Sequence, residues 1–204
     1  MFRDGKGPNG DLPPNNWEAV FGGCAWERVI EADGKPGQWY LHLFAVEQPD
    51  LNWENPEVVA HLEDVLKFWL DRGVAGFRID VAHGMFKEAG LPDIRKDPAA
   101  SMLGTEHKPF WDQEGVHDIY RSWRKIFDSY PGDRMAVAEA WVSPASRIAR
   151  YVRPDELQNS FNFEMLTTLW DAKQIRTKID NSSVANFYNP PPTAVDGIRN
   201  RPPG

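Results

Sequence analysis

Two short runs constrain this chain more than anything else in it: Gly76-Phe77-Arg78-Ile79-Asp80-Val81 and Met135-Ala136-Val137-Ala138-Glu139-Ala140-Trp141. Each is largely apolar without strict alternation, of strand length, and interrupted near its C-terminal end by one carboxylate. A strand with two apolar faces needs cover on both, which parallel sheets receive from their crossover helices. The sequence supplies such helices. Asn55-Pro56 opens one, Val58, Val59, Leu62, Val65, Leu66 and Trp69 recur on one of its faces, and Gly73 closes it. A second helix spans about 113–129, with Val116, Ile119, Tyr120, Trp123, Ile126 and Phe127 on its stripe and Pro131-Gly132 at its end. The expected fold class is α/β, on a parallel sheet.

The flanking segments are less regular. Residues 1–38 read as loop, punctuated by Gly5, Gly7, Pro8, Gly10, Pro13 and Pro14, and Gln38 to Phe44 reads as a strand. Between Asp80 and the second helix lies a long connection with Gly84, Gly90, Pro92 and Pro98, of a length that often carries function. Ser143-Pro144 opens a short helix, Asn159 to Met165 reads as a third strand, and Leu166 to Ile179 as a third long helix. Trp69, Trp123 and Trp170 fall on helix stripes and are expected in the core. The segment 181–204, rich in prolines and polar residues, reads as an irregular or disordered tail.

Composition removes several function classes. A net charge of −7 with both signs interspersed speaks against a nucleic-acid grip, which needs a basic patch. No stretch approaches the ~18 apolar residues of a membrane span. The start at Met1 has no apolar leader segment, so a cytoplasmic protein is expected. The single cysteine, Cys24, has no internal disulfide partner and is expected to be buried and inert. His42, His61, His107 and His117 lack metal-ligand spacing, and no phosphate-binding glycine loop or Ser-His-Asp signature occurs, so neither metal nor cofactor is expected.

The chemistry lies in the two strands. Residues two apart share a strand face, so Arg78 and Asp80 point the same way, and the guanidinium is expected to keep Asp80 ionised. Ala138, Ala140 and Trp141 around Glu139 are expected to exclude water and raise its pKa. A nucleophile and a proton donor would result, the pair a retaining glycosidase uses at about 5–5.5 Å. Taken singly, either strand equally fits a structural ion pair or a carboxylate bound to backbone at a strand end. Both carboxylates fall at C-terminal strand ends, where parallel α/β folds place their sites.

Gly-Phe-Arg-Ile-Asp-Val (76–81), Ala-Glu-Ala-Trp (138–141) and Gln48-Pro49-Asp50-Leu51-Asn52 resemble three signatures of the α-amylase superfamily, glycoside hydrolase family 13. The last resembles its oligo-1,6-glucosidase and α-glucosidase branch. Similarity covers roughly residues 1–180. It implies a (β/α)8 TIM barrel, with Asp80 as nucleophile, Glu139 as acid/base and Arg78 as the nucleophile's partner. On that reading residues 1–52 end an inserted irregular domain, 53–180 form a partial barrel of about strands 4 to 6, and 181–204 are the tail. The family's early Asn-His and late Asn-His-Asp motifs have no counterpart, and Ala194 to Gly204 leaves the pattern, as in a truncated or frame-disrupted gene product.

The function this implies is retaining hydrolysis of α-glucosidic bonds in short α-linked gluco-oligosaccharides, through a covalent glucosyl–Asp80 intermediate. Val81, after the nucleophile, goes with α-1,6 bonds in relatives. His83 either binds sugar or serves local structure, Glu164 is a candidate contact to the leaving sugar, and Asp50 a loop-stabilising acceptor rather than a metal ligand. Two alternatives stand: a transglycosylase or isomerase of the same family, such as trehalose synthase, and a non-catalytic remnant. The chain alone is expected to be inactive and to need the missing barrel segments.

Overall fold

The computed structural model describes residues 1–95, 97 and 107–187. It divides into two compact units, one of residues 1–58 with 84–113, the other of residues 59–83 with the chain from Glu114 onward.

The first unit holds an antiparallel sheet of β1 (Phe2–Arg3), β2 (Trp26–Ile30) and β3 (Pro36–Leu41), with β3 central. The loop expected over residues 1–38 is therefore corrected at β1, β2 and the start of β3. Trp17, Trp26, Leu41, Leu43 and Phe110 form its core. Buried Asn15 ties that core to the long connection. Its Oδ1 accepts from the Trp17 N–H at 3.1 Å and Trp26 Nε1 at 2.7 Å, and its Nδ2 donates to the Leu91 carbonyl at 3.1 Å. Trp17 Nε1 donates to the Pro92 carbonyl at 2.8 Å. These bonds make residues 84–113 part of the first unit, although the sequence reading set them inside the barrel segment. Cys24 is exposed rather than buried, beside the turn at Gly22 and Gly23.

Helix α1 (Pro56–Leu70) starts where Asn55 Oδ1 accepts the Glu57 N–H at 3.0 Å, and Gly73, at φ 89, ends the turn beyond it. Three parallel strands follow in the second unit, in the order β4 (Gly76–Ile79), β5 (Met135–Ala138), β6 (Asn159–Ser160). The register pairs Gly76 with Met135 and Ile79 with Ala138. Gly76 is required there, since a Cβ would sit 2.3 Å from the Met135 carbonyl oxygen. Helix α2 (Gly115–Asp128) buries Val116, Ile119, Tyr120, Trp123 and Phe127, and Phe127 stacks on Phe77 of β4 with ring centres 5.9 Å apart.

The third strand is shorter than expected. Asn162 Oδ1 accepts the Met165 N–H at 3.1 Å and starts α4 (Phe163–Leu166), after α3 (Ala145–Tyr151) and before α5 (Ala172–Phe187). One long helix from Leu166 is thus two, and residues 181–187 of the expected tail are helical, while 188–204 lie outside the described residues. Trp123 is 3% exposed as expected of a core residue, but Trp69 is 47% and Trp170 98% exposed. Among the described residues no helix is long and apolar enough to cross a membrane.

Candidate active site

The parallel register of β4 and β5 sets Asp80 and Glu139 side by side just beyond their strand ends. Glu139 extends the ladder by donating its N–H to the Ile79 carbonyl at 2.9 Å, and the Ala82 N–H returns to the Glu139 carbonyl at 2.9 Å. Small residues permit this closeness, for Ala136, Ala138 and Ala140 are all fully buried.

One guanidinium nitrogen serves both acids. Arg78 Nη2 lies 2.7 Å from Asp80 Oδ1 and 2.9 Å from Glu139 Oε2. The sequence paired Arg78 with Asp80 alone. Two further donors converge on Glu139: the Val81 N–H reaches Oε2 at 3.2 Å and Trp141 Nε1 reaches Oε1 at 3.3 Å. Trp141 in turn lies flat on Phe163, ring centres 3.7 Å apart and planes 9° from parallel, which gives the pair an aromatic wall.

Sharing one guanidinium nitrogen also brings the two carboxyls within each other's electrostatic influence. The expected order of acidities is therefore corrected. Asp80 is raised above its ordinary value by the hydrogen bond to Glu139, by desolvation and by Glu139's charge, with Arg78 opposing. For Glu139, burial pushes upward most, but the bonds with Asp80, Val81 and Trp141 and the charge of Arg78 together hold it below its ordinary value. Neighbours in sequence reveal only part of this, because Arg78, Asp80 and Val81 reach Glu139 from the adjacent strand while Trp141 alone is local. The pair can hold one proton between two oxygens and one cation.

Val81 has a left-handed backbone, φ 45, which a β-branched residue rarely adopts. That kink turns its N–H back toward Glu139. His83 follows and is 5% exposed. Glu164 is not at a strand end: it lies in the first turn of α4, and its carboxylate bonds Lys178 Nζ at 3.0 Å and the Ser143 hydroxyl at 3.4 Å. Arg78, Asp80, Val81 and Glu139 are thus brought together, while the Glu164 carboxylate is engaged by Lys178 and Ser143. Phe163 was not singled out from sequence, and Trp141 was read only as a neighbour that excludes water, not as a donor to Glu139. Among the described residues no three His, Cys, Asp or Glu side chains gather as a metal would need.

Comparison with known proteins gives a consistent result. Residues 1–199 match the family described as alpha amylase, catalytic domain. The chain is 38% identical to a trehalose-6-phosphate hydrolase of Bacillus subtilis (strain 168) over 161 residues, covering 78% of this chain and 26% of the relative. It is 40% identical to an oligo-1,6-glucosidase of Parageobacillus thermoglucosidasius over 168 residues, 80% of this chain and 28% of the relative. In three dimensions it resembles a crystal structure of an α-glucosyl transfer enzyme, with TM-score 0.78 and 31% identity over 91% of this chain and 36% of the other. A trehalulose synthase matches with TM-score 0.74 and 28% identity, over 91% of this chain and 34% of the other. The chain spans about a quarter to a third of the length of these proteins.

Proposed function

This chain belongs to the α-amylase catalytic-domain family, and we propose that it is the acid–nucleophile segment of a retaining α-glucosidase acting on short α-linked gluco-oligosaccharides. The observation that carries the reading is the single Arg78 nitrogen bound to both Asp80 and Glu139 at the ends of adjacent parallel strands.

In the first step the Asp80 carboxylate attacks the anomeric carbon while Glu139 gives its proton to the departing glycosidic oxygen, leaving a glucosyl ester on Asp80. Glu139, now anionic, takes a proton from water as the water oxygen attacks that ester, and Asp80 is released as carboxylate. A sugar entering between the acids breaks their mutual hydrogen bond. Asp80 then keeps Arg78 as partner and ionises, and the proton passes from Asp80 to Glu139, the state the first step requires. The Trp141–Phe163 stack offers an apolar face beside the donor. Val81 and His83, on the turn beyond Asp80, are the proposed sugar contacts, and Glu164 is not carried forward because Lys178 occupies it.

A second reading, transfer to another sugar rather than to water, uses the same two acids and is favoured by the likeness to a glucosyl transfer enzyme and a trehalulose synthase. The 204-residue segment is proposed to turn over only with the remainder of a barrel. Cys24, a lone exposed thiol, fits a reducing compartment, and we place the protein in the cytoplasm.

The test is made on a full-length enzyme carrying this segment. Asp80→Asn should abolish turnover of both maltose and an activated aryl α-glucoside. Glu139→Gln should lose maltose activity yet form the glucosyl–enzyme from the activated substrate, whose leaving group needs little protonation. Equal loss of both first steps in Glu139→Gln would overturn the acid assignment. Product analysis with maltose and isomaltose separates glucose release from transfer.

A further inference from the structure

The left-handed Val81 needs an anchor, and the residue after it has one at each end. Ala82 is fully buried; its N–H donates to the Glu139 carbonyl at 2.9 Å, and its own carbonyl accepts the hydroxyl of Tyr120. Tyr120 comes from the middle of α2, is fully buried, and is wedged between Trp123 and Tyr151, with ring centres 5.7 and 5.8 Å away. A phenol so confined has little freedom to aim its hydroxyl anywhere but at Ala82. We propose that Tyr120 is a positioning residue: by holding the Ala82 carbonyl it fixes Val81 in the left-handed conformation that turns the Val81 N–H onto Glu139.

The chain of contacts is physical at every link. Without the phenol, the Ala82 carbonyl would be a buried acceptor missing this donor, and the peptide would rotate to find another. Val81, a β-branched residue, would then relax from φ 45 toward the extended region it prefers. Its N–H would leave Glu139 Oε2, now 3.2 Å away. Burial and the charge of Glu156 push Tyr120 well above the ordinary tyrosine value, so the donor proton is retained throughout any working pH. Asp80, Arg78 and Trp141 contact Glu139 independently of Tyr120 and remain in place.

The proposal takes from the preceding section only that Glu139 acts through its protonation state, and it can be tested without turnover. Amide exchange at Val81 and the carbon-13 titration of the Glu139 carboxyl are measured in the 204-residue chain, in Tyr120→Phe, and in Val116→Ala, a buried change one turn earlier on α2. Tyr120→Phe should speed Val81 exchange about tenfold, as expected for loss of a hydrogen bond to a charged group, and move the Glu139 midpoint upward. Val116→Ala should lower the melting temperature with neither effect. Unchanged exchange and titration in Tyr120→Phe, or equal changes in Val116→Ala, would overturn the assignment. In a Val81→Gly background, where glycine adopts the left-handed conformation unaided, adding Tyr120→Phe should shift Glu139 less; an equal shift refutes the link. If Tyr120→Phe alone does not fold, recovery of the fold by Val81→Gly supports the proposal and failure to recover overturns it.

Discussion

A lysine ammonium sealed among protein atoms must find its counter-charge nearby. Lys87 has a side chain 2% exposed; its Nζ lies 2.7 Å from Asp50 Oδ1 and also meets the Gly84 carbonyl, while Asp50 Oδ2 accepts the Leu43 N–H at 2.8 Å. Burial lowers the Lys87 pKa and the Asp50 carboxylate resists that shift. Lys87→Met should therefore cost about 3 kcal/mol, because it strands a largely buried carboxylate, and Lys87→Met/Asp50→Asn should recover part of it. Denaturant unfolding of the three variants checks this. The sequence made Asp50 legible as an acceptor within Gln-Pro-Asp-Leu-Asn. Lys87 was silent, since a lysine in a polar loop is normally solvated and nothing local marks the exception. The same blindness reversed the acidities of Asp80 and Glu139, whose decisive contacts run across the sheet.

Among the elements, β4 and β5 approach so closely that only glycine fits at 76. Gly76→Ala should cost about 1–3 kcal/mol, the range for overpacking, because the obstacle is backbone and cannot swing aside. The loss should appear in thermal unfolding together with weakened exchange protection along β4. At the start of α2, Glu114 binds Arg147 and Arg150 of α3. The bonds from Arg150 and Arg147 hold its carboxyl at about 2, below the ordinary 4.5. A folded-state pKa below the unfolded one means stability that is present above pH 4.5 and lost as pH falls toward about 2. Glu114 is exposed, so the contribution is below about 1 kcal/mol. The difference in unfolding midpoint between the native chain and Glu114→Gln should be constant from neutral pH to the ordinary value, decline below it and vanish near pH 2. Helices α1 and α2 were readable from their period alone. Strand β2 was not, because Glu27 and Arg28 interrupt it and only one face is covered. The cut between β6 and α4 lay in Asn162, a helix-capping residue inside an otherwise strand-like run.

For the whole molecule, periodicity announces an apolar face but not what covers it. Leu166, Leu169 and Trp170 are 71%, 71% and 98% exposed, and β4 and β6 each pair on one side only among the described residues. Exposed apolar surface and unpaired edges invite association. The isolated chain should scatter light increasingly with concentration at neutral pH, and Trp170→Lys should reduce that association without lowering the melting temperature. The α1 stripe carrying Trp69 was legible as a stripe, whereas Trp170 falls between α4 and α5; among the described residues nothing fully buries either side chain. The first unit shows a different dependence, because Asn15 and Trp17 bond carbonyls of Leu91 and Pro92, and Asp50 waits for Lys87. On a ribosome these early residues emerge with their partners still unsynthesised. The first unit cannot close until the second half of its core has left the ribosome, by which time β4 and Asp80 are already outside the tunnel. Synthesis order thus couples completion of the first unit to the emergence of β4, so that a pause in the codons for 84–113 would leave Asn15 and Asp50 without their partners and open to proteases and chaperones.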